Sequence, residues 1–375
     1  MDKKLRGKSS KSTVSKYQNV NIINYFTRHK MRGFTMNKYT PVGVDLAKNV
    51  FQIHYVDEDT GEIVNKMIKR ANLLNYFINK KSCLIGMEAC GGSQHWARQL
   101  MRMGHRVKIM QSRFVKAFNT GNKNDVADAK AIWLAVQQTD KFVAVKTEDQ
   151  QSVLVLHRVR EQLVKIRTMQ VNALRGLLTE FGEVMGKGRA SLNRTMPLVL
   201  AKLAERLPDM LIQTLREQWA GLAQLDEQIA LIEFRLRQWM KETEAVRTIS
   251  QVPGVGLLTA TAAVAAMGDA AAFKSGREFA AWIGLVPRQT GSGGKIKLLG
   301  ISKRGDTYLR TLLIHGARSV LSHSKERDPW VERLSKKRPP NVVVVALANK
   351  MARTIWALLA HDRQYDRSYI SVRPI

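Results

Sequence analysis

The sequence predicts an α/β domain with a mixed β-sheet, followed by a mainly α-helical region. Three observations predict this fold class. Between residues 39 and 138, three strand-like segments come in a row and are followed by alternating helix and strand patterns, which is typical of a mixed sheet. From about residue 147, apolar residues recur three and four apart over two long stretches. From residue 249, helical segments are separated by Gly-containing turns and loops.

The chain before the first strand differs from the rest. Residues 1–35 are basic, rich in Ser and Lys and poor in apolar periodicity, as in "MDKKLRGKSSKSTVSK". We expect a disordered arm there, which is either a nucleic-acid-binding arm or sequence upstream of a start at Met36. The predicted domains are this extension, an α/β domain at 36–146, a helical arm at 147–248 and a C-terminal domain at 249–375.

The α/β domain is predicted element by element. Its first strands are "TPVGVDLA", "VFQIHYVD" and, after the turn "DEDTG", "GEIVNKMI". A helix follows over "RANLLNYFINK", then a buried strand over "SCLIGMEAC" and a helix over "SQHWARQLMRMG". The domain closes with the strand "HRVKIM" and with the helix of "NKNDVADAKAIWLAVQQ".

Two apolar stripes predict a pair of long helices in the arm. Their heptad spacing favours an extended coiled coil that serves in dimerisation or in nucleic-acid binding, and a plain helical hairpin packed on the body is the alternative. The stripes are Leu163, Ile166, Gln170, Ala173 and Leu177 on the first helix, and Leu222, Leu225, Ile229, Ile232, Leu236 and Trp239 on the second. The first helix also carries the candidate nucleic-acid-binding cations Arg158, Arg160, Lys165, Arg167 and Arg175.

The C-terminal domain opens with "VPGVGLLTATAAVAAMGD", which has the form of a helix-hairpin-helix segment. In that motif a Gly-containing turn exposes backbone N–H groups to a DNA phosphate. Pro-Gly turns between helices are common, so the motif alone is a moderate signal. A Gly/Ser/Lys-rich loop, "QTGSGGK", follows between helical segments, and the last helix runs through "VVVALANKMARTIWALLA".

The charge balance limits the partners. The chain has 61 Lys and Arg against 31 Asp and Glu, a net charge of +30, which exceeds what solubility requires and favours a polyanion. Nucleic acid is favoured over membrane, because the most apolar stretches are too short to span a bilayer. Cys83 and Cys90 form no disulfide framework and no Cys-based zinc site. We expect the cytoplasm of a bacterium, in association with the nucleoid.

Against this basic background, four acids stand where elements of the α/β domain end or begin. Asp45 and Glu88 lie near the ends of buried strands, where α/β sheets form their sites, and Asp125 and Asp128 open the closing helix. On their own, the last two are explained as first-turn residues that the helix dipole stabilises. One interpretation that therefore stays open is a non-catalytic nucleic-acid-binding protein whose acids are helix caps.

If the four acids converge, they need a cation. Two carboxylates about 5 Å apart at an effective dielectric of about 20 repel by roughly 3 kcal/mol. A divalent metal cancels that repulsion, and Mg²⁺ takes such oxygen ligands. Two ions would clamp both oxygens of an in-line phosphoryl displacement. We expect Mg²⁺, as two ions and with Mn²⁺ as a substitute, at an acidic point within a surface that holds nucleic acid.

The quoted segments carry a family resemblance. "VGVDLAKNVFQIHYVD", "GMEACGGSQHWARQL" and "NKNDVADAKAI" resemble the RuvC-type DEDD set of the insertion-sequence one-ten transposases. The segment from "QVPGVGLLTATAAVAAMGD" to "RGDTYLRTLLIHGAR" resembles their C-terminal transposase domain, closest to the eleven-eleven subgroup. The similarity runs from about Tyr39 to about Leu359, and both ends match in order and spacing.

This resemblance implies an RNase H-like N-terminal domain with Asp45, Glu88, Asp125 and Asp128 as catalytic metal ligands, a coiled coil, and a nucleophilic serine. The family's serine precedes a glycine in the loop after "GLVPR", which corresponds to Ser292 here, with Thr290 left as an alternative. It also implies donor and target DNA, a structured guide RNA called bridge or seeker RNA, and a homo-oligomer that is a dimer or a tetramer built from dimers.

The serine loop has the composition that such chemistry needs. A serine hydroxyl must be activated, and no His lies beside Ser292 in the sequence. Nearby cations would hold the scissile phosphate, and the loop glycines let the backbone approach it. These candidate nucleic-acid-binding residues are Arg288, Lys295, Lys297, Lys303 and Arg304. The leading hypothesis is an RNA-guided DNA recombinase with a phosphoserine intermediate, and the runner-up is a RuvC-type endonuclease without a serine step.

Overall fold

The computed structural model describes residues 39–119, 124–138, 141–324 and 328–368, so the predicted arm at 1–35 lies outside the described residues. The chain divides into two compact units. The first unit comprises the chain through Glu88 together with Gln99–Val107 and Ser112–Thr139. The second comprises Ala89–Arg98, Lys108–Gln111 and the chain from Asp140 onward.

A five-stranded mixed sheet forms the N-terminal part, as the sequence predicted. The strand order is β3-β2-β1-β4-β5; β1 pairs antiparallel with β2 and parallel with β4, and β2 pairs antiparallel with β3. The strands are β1 (Thr40–Leu46), β2 (Val50–Val56), β3 (Ile63–Lys69), β4 (Cys83–Glu88) and β5 (Arg106–Met110). The helices of this part are α1 (Leu73–Phe77), α2 (Ser93–Arg102), α3 (Ser112–Lys116) and α4 (Asp125–Gln138).

Helix α4 lies directly on the sheet and packs against β1, β2 and β4. Its apolar positions, among them Ala129, Ile132 and Ala135, are buried. Gly43 on β1 permits this approach, because a Cβ atom there would lie 2.2 Å from the carbonyl oxygen of Ala129. The strand and the helix therefore meet backbone to backbone, two residues before Asp45.

The arm consists of α5 (Glu148–Thr179), α6 (Arg189–Ala204) and α7 (Asp209–Glu242), and α5 packs against α7 within the chain. Thr147 and Gln150 form a capping box at the start of α5. The predicted stripe on α7 is buried at Leu222, Ile229, Ile232 and Leu236. The stripe predicted on α5 is not the buried one: α5 buries Val153, His157, Val171, Leu174 and Leu178 instead. The sequence carries apolar residues on two faces of α5, and spacing alone did not identify the face that packs.

The C-terminal part is mostly helical, as predicted, and has one continuous apolar core. Its helices are α8 (Glu244–Ser250), α9 (Leu257–Met267), α10 (Gly276–Ile283), α11 (Thr307–His323), α12 (Pro329–Ser335) and α13 (Pro340–Ala360). Gly254, in the turn between α8 and α9, has φ of +83° and sits so close to α11 that its Cβ would lie 2.7 Å from the carbonyl oxygen of Gly316. The helix-turn-helix geometry of the predicted segment is thus held against α11.

A two-stranded antiparallel hairpin, β6 (Pro287–Thr290) and β7 (Lys297–Ile301), interrupts these helices. The sequence predicted a Gly/Ser/Lys-rich loop here, with a flexible hairpin tip as the alternative; the two strands themselves were not predicted, because they are short and carry no alternating apolar pattern. In the described part of the chain, one helix, α13, is long and apolar enough to cross a membrane by length and composition. Its apolar residues, among them Leu347, Ala348 and Ile355, pack in the helical core.

Candidate active site

The four predicted acids all belong to the first unit. Val44 pairs in parallel with Met87, so Asp45 and Glu88 follow at the same end of two neighbouring strands. Asp125 and Asp128 lie in the first turn of α4, the helix that packs closely against β1 at Gly43. The sheet register and the close packing of α4 therefore bring strand ends and helix start to one place.

Asparagines organise the start of α4. The side chain of Asn124 accepts a hydrogen bond from the backbone N–H of Ala127 at 2.7 Å, which is the contact of a helix N-cap. Asn119 Nδ2 donates to Asp128 Oδ1 at 2.7 Å. Because Asn124 makes the cap contact, capping does not account for the carboxylates of Asp125 and Asp128.

Electrostatics tie Asp45 to the other three acids. Burial, and then the negative charges of Asp128, Asp125 and Glu88 in that order, together raise the pKa of Asp45 from 3.8 to about 6. A backbone hydrogen bond from Leu46 opposes the shift. The carboxylates therefore act on one another across the sheet end, and the folded chain bears an unfavourable local charge there.

The donor set suits a hard divalent cation, because it consists of carboxylates and their repulsion is what a cation would relieve. Across the residues that the structure describes, no group of three or more His, Cys, Asp and Glu side chains is gathered closely enough to hold a metal ion. Asp128 is instead engaged with Asn119. The residues fit a divalent metal by chemistry and charge.

Ser292 lies in the second unit, at the exposed tip of the β6–β7 hairpin. Its carbonyl accepts a hydrogen bond from the N–H of Lys295 at 3.2 Å, and Gly293 and Gly294 take φ values of +57° and +80°. A Cβ on Gly291 would lie 2.0 Å from the carbonyl oxygen of Lys295, so the turn requires glycine there as well. The five predicted loop cations are all exposed: Arg288, Lys295, Lys297, Lys303 and Arg304.

The base of this hairpin is fixed by a residue that sequence reasoning missed. Arg310 on α11 is 7% exposed and donates Nη1 to the carbonyls of Ile283 and Arg304 at 2.7 and 2.8 Å. Its Nη2 donates to Thr307 Oγ1 at 3.0 Å. A buried guanidinium thus joins the end of α10, the chain that leaves β7 and the start of α11. Its only sequence signal was a lone Arg on the apolar side of a helix.

The predicted arm cations fall into different environments. Arg160 pairs with Glu233 at 2.6 Å and Arg167 pairs with Asp226 at 2.6 Å, so both hold α5 to α7. Arg175 Nη2 donates to the carbonyl of Met185 at 3.3 Å. Arg158 is exposed, and Lys165 is exposed beside Glu161 on the same helix. A nucleic-acid role for the five therefore stays a prediction, with Arg160 and Arg167 already serving the fold.

Comparison with known proteins gives two family matches. The model described as "Transposase IS116/IS110/IS902 family" matches residues 246–332, and the DEDD transposase model of the IS110 type, described as "Transposase", matches residues 42–182. The second match spans all four acids and the first spans Ser292.

Similar proteins cover nearly the whole chain. A "Probable family 20 transposase" of Pseudomonas aeruginosa is 43% identical over 86% of this chain and 98% of its own length. The "Transposase for insertion sequence element IS1111A" of Coxiella burnetii is 41% identical over 90% of this chain and 94% of its own. The "Transposase for insertion sequence element IS1328" of Yersinia enterocolitica is 37% identical over 88% and 100%.

A basic chain with an acidic sheet end, matched along its length by transposases, is a DNA transposase. The chain belongs to the IS116/IS110/IS902 family of transposases. The resemblance drawn from the sequence is confirmed, and a relative named for IS1111A agrees with the expected eleven-eleven subgroup.

Proposed function

We propose that this transposase is an RNA-guided recombinase that cuts and rejoins DNA through a covalent phosphoserine intermediate on Ser292. The observation that carries the proposal is the coupling of Asp45 to Asp128, Asp125 and Glu88 in a chain of net charge +30. A cluster of negative charges in so basic a protein is better explained by metal-dependent chemistry on a polyanion than by a contribution to the stability of the fold. The strand order, with β1 between an antiparallel and a parallel neighbour, agrees with an RNase H-like domain.

The acids and the serine would take different roles. When bound, Mg²⁺ at Asp45, Glu88, Asp125 and Asp128 would supply positive charge to the scissile phosphate, with Mn²⁺ as a substitute. Asn119 would orient Asp128 through its amide. The hairpin cations would hold the same phosphate while Ser292, exposed at the tip, presents its hydroxyl. The acids belong to the first unit and Ser292 to the second.

The serine step balances as a transesterification. Ser292 Oγ forms a bond to phosphorus, the bond from phosphorus to one deoxyribose oxygen breaks, and the serine proton ends on that oxygen. A deoxyribose hydroxyl then attacks the phosphoserine and restores a DNA phosphodiester and a free serine. Each step exchanges one phosphoester for another, so rejoining needs no ATP.

The guide RNA and the oligomer belong to the same proposal. A large folded RNA suits an extended basic surface, and its binding would weaken steeply with salt because counterions are released. A dimer, or a tetramer built from dimers, would allow one chain's serine to reach another's acids. A structured non-coding sequence beside the gene would supply the guide RNA.

One experiment tests the serine step. Purified protein with its copurified RNA is incubated with end-labelled donor and target DNA in Mg²⁺, and the products are separated on a denaturing gel. We expect a covalent protein–DNA adduct with wild type and none with Ser292→Ala, which still binds DNA and RNA. Thr290→Val is the matched control and keeps the adduct.

The other outcomes identify the alternatives. Cleaved DNA without any adduct, at equal rates in wild type and Ser292→Ala, would replace the proposal by a RuvC-type endonuclease. Binding without cleavage in any metal would leave a nucleic-acid-binding protein. Recombination by RNA-free protein would remove the guide RNA from the mechanism.

A further inference from the structure

Asp45 is the first member of a row of side chains that crosses the sheet. It pairs with Gln52 on β2, and Gln52 pairs with Met67 on β3. Directly opposed residues of antiparallel strands point to the same face, so the three side chains share one face of the sheet. The row runs from the acidic site to the edge strand.

Helix α4 covers this face only in part. It touches β1 at Gly43, and Trp133 of α4 contacts the ring of His54 on β2 with ring centroids 5.3 Å apart. On β2 the face is closed, since His54 is 3% exposed. On β3 it is open: Ile63 is 69% exposed and Met67 66%. The exposed residues of β3 on this face, Ile63, Asn65, Met67 and Lys69, form what we call the β3 shelf.

Cations stand at the end of the shelf that lies beside the acids. Lys69 pairs with Val50 at the start of β2, next to the β1–β2 turn that carries Lys48. Arg70 fixes this corner: its N–H donates to the carbonyl of Asn49 at 2.9 Å and its Nη1 donates to the carbonyl of Lys48 at 3.4 Å. Within the described part of the chain, Lys48 and Lys69 have no ion-pair partner and are exposed.

The spacing matches a nucleic-acid strand. Met67 lies two strands away from Asp45, which is about 10 Å at the usual separation of strands. At roughly 3.4 Å of axis per nucleotide, that distance corresponds to about three nucleotides. A strand with one phosphate at the acids therefore has the shelf and the cations at its corner within reach of its next few nucleotides.

We propose that the β3 shelf, with Lys48, binds the DNA strand that is cut, on one side of the scissile phosphate. Lys48 and Lys69 would contact phosphates, and Met67 and Ile63 would pack on deoxyribose and base faces. Asn65, whose Oδ1 accepts from Gln52 Nε2 at 3.0 Å, would donate its amide N–H to base or sugar edges. The proposal rests on the proposed role of the acids, because it assumes that the scissile phosphate lies at Asp45.

Two observations favour DNA as the occupant. The corner of the shelf lies at the β1–β2 turn, beside the end of β1 that carries Asp45, and the substrate of a transposase at such a site is DNA. The cations at the corner are complementary to a phosphodiester backbone and unfavourable for a second copy of so basic a chain. Guide RNA and a second copy are therefore the outcomes against which the test is designed.

Photo-crosslinking tests the occupant in the full chain with its copurified RNA. A genetically encoded benzophenone amino acid replaces Met67, and the matched control carries it at Ile78, which is also 66% exposed but lies after α1. The probe is a labelled DNA duplex of the element's own end with its flanking sequence, in EDTA so that no strand is cut. We expect a protein–DNA crosslink at least five times stronger at position 67 than at position 78. A crosslink at 67 to RNA or to a second chain, or equal DNA crosslinking at both positions, overturns the proposal.

The salt dependence of binding tests the cations. Lys69→Glu and Lys48→Glu are compared with Lys81→Glu, an exposed lysine before β4, at the other end of that strand from Glu88. We expect each shelf variant to bind the same DNA about tenfold more weakly and to lower the slope of log affinity against log salt by about 1, whereas Lys81→Glu changes neither. An unchanged slope in both shelf variants overturns the proposal.

The two proposals fail in distinguishable ways. If Asp45→Asn abolishes cleavage while Lys69→Glu leaves DNA affinity and salt slope unchanged, the acids act as proposed and the shelf does not bind the strand. If the shelf variants lose DNA affinity while Asp45→Asn cleaves normally, the shelf binds DNA and the assignment of the acids is wrong.

Discussion

A Cβ atom on Gly43 would lie 2.2 Å from the carbonyl oxygen of Ala129 and 2.6 Å from the backbone nitrogen of Trp133, so β1 and α4 are in backbone contact beside the acidic site. This contact sets how near the first turn of α4, with Asp125 and Asp128, comes to Asp45. The acids interact because a residue without a side chain stands two positions before the first of them.

Gly43→Ala is therefore expected to displace α4 from the sheet. Forcing a methyl group into a closed contact costs about 1–3 kcal/mol of stability, and the acids would separate. Thermal unfolding should show a lower Tm, and Mg²⁺-dependent cleavage should fall more than tenfold. Gly176→Ala is the matched control: nothing lies within 4 Å of its Cβ, and the helix α5 should gain up to about 1 kcal/mol. Normal cleavage by Gly43→Ala would show that this contact does not position the acids.

Asp45 should destabilise the metal-free protein. Its folded pKa of about 6 lies above the unfolded value of 3.8, so at neutral pH the fold bears the cost of an ionised carboxylate, and stability rises as the pH falls from about 6 toward 3.8. Solvent screens a half-buried group, so we expect Asp45→Asn to gain about 1 kcal/mol in EDTA, or a few degrees in Tm.

Adding Mg²⁺ should reverse the order of stability of wild type and Asp45→Asn. Wild type should gain Tm with metal, and Asp45→Asn should gain less because one ligand carboxylate is lost. Asp59→Asn serves as the control, since Asp59 is an exposed turn residue of the same unit. A lower Tm for Asp45→Asn than for wild type in EDTA would contradict the repulsion among the acids.

His157 should make the second unit sensitive to acid. It is 2% exposed, its Nδ1 lies 3.0 Å from Tyr308 Oη and its Nε2 3.0 Å from Thr261 Oγ1. Burial, and then the charge of Arg160, lower its pKa from 6.5 to about 4. Below pH 6.5 His157 is protonated in the unfolded chain but stays neutral in the folded chain. Stability is therefore lost between pH 6.5 and 4, by roughly 3 kcal/mol in all.

The variant His157→Gln isolates this effect, because its amide can bond to the same hydroxyls and does not titrate. The difference in Tm between wild type and variant should be nearly constant above pH 7 and should shift in favour of the variant as the pH falls to 5. Burial also lowers the pKa of His54 and His105, so some acid sensitivity remains in the variant. A pH-independent difference would show that folding does not lower the pKa of His157.

The sequence was sufficient for the sheet, because buried strands such as "VFQIHYVD" and the alternation of helix and strand are set by local composition. It placed Asp45, Glu88, Asp125 and Asp128 at element ends, where residues distant in the chain can meet. It did not identify the packed face of α5, because Val153 and Leu174 compete there with exposed apolar residues such as Met169. That choice is made by α7 and α9, which lie far along the chain.

Contacts of single polar side chains were beyond sequence reasoning as well. Asn119 meets Asp128 through a segment without periodicity, and Arg310 meets the carbonyls of Ile283 and Arg304 through the tertiary fold. The strands β6 and β7 were missed because all residues from Pro287 to Gly300 are exposed and no buried face imposes a pattern. Such a hairpin gains little from packing, so its orientation depends on what holds its base.

Arg310 holds the base of the β6–β7 hairpin. Its replacement should impair stability and adduct formation without changing DNA binding. Arg310→Lys keeps the positive charge but cannot reach the carbonyls of Ile283 and Arg304 and the hydroxyl of Thr307 together, since an ammonium lacks the planar fork of a guanidinium. We expect a stability loss of roughly 1–3 kcal/mol, because buried acceptors lose their donors. The rate of adduct formation at Ser292 should fall at least tenfold while the affinity for DNA and its salt dependence stay those of wild type. Arg318→Lys, an exposed position on the same helix, is the control and should change neither stability nor rate. If Arg310→Lys forms the adduct at the wild-type rate despite a lower Tm, the guanidinium stabilises the domain without positioning the serine.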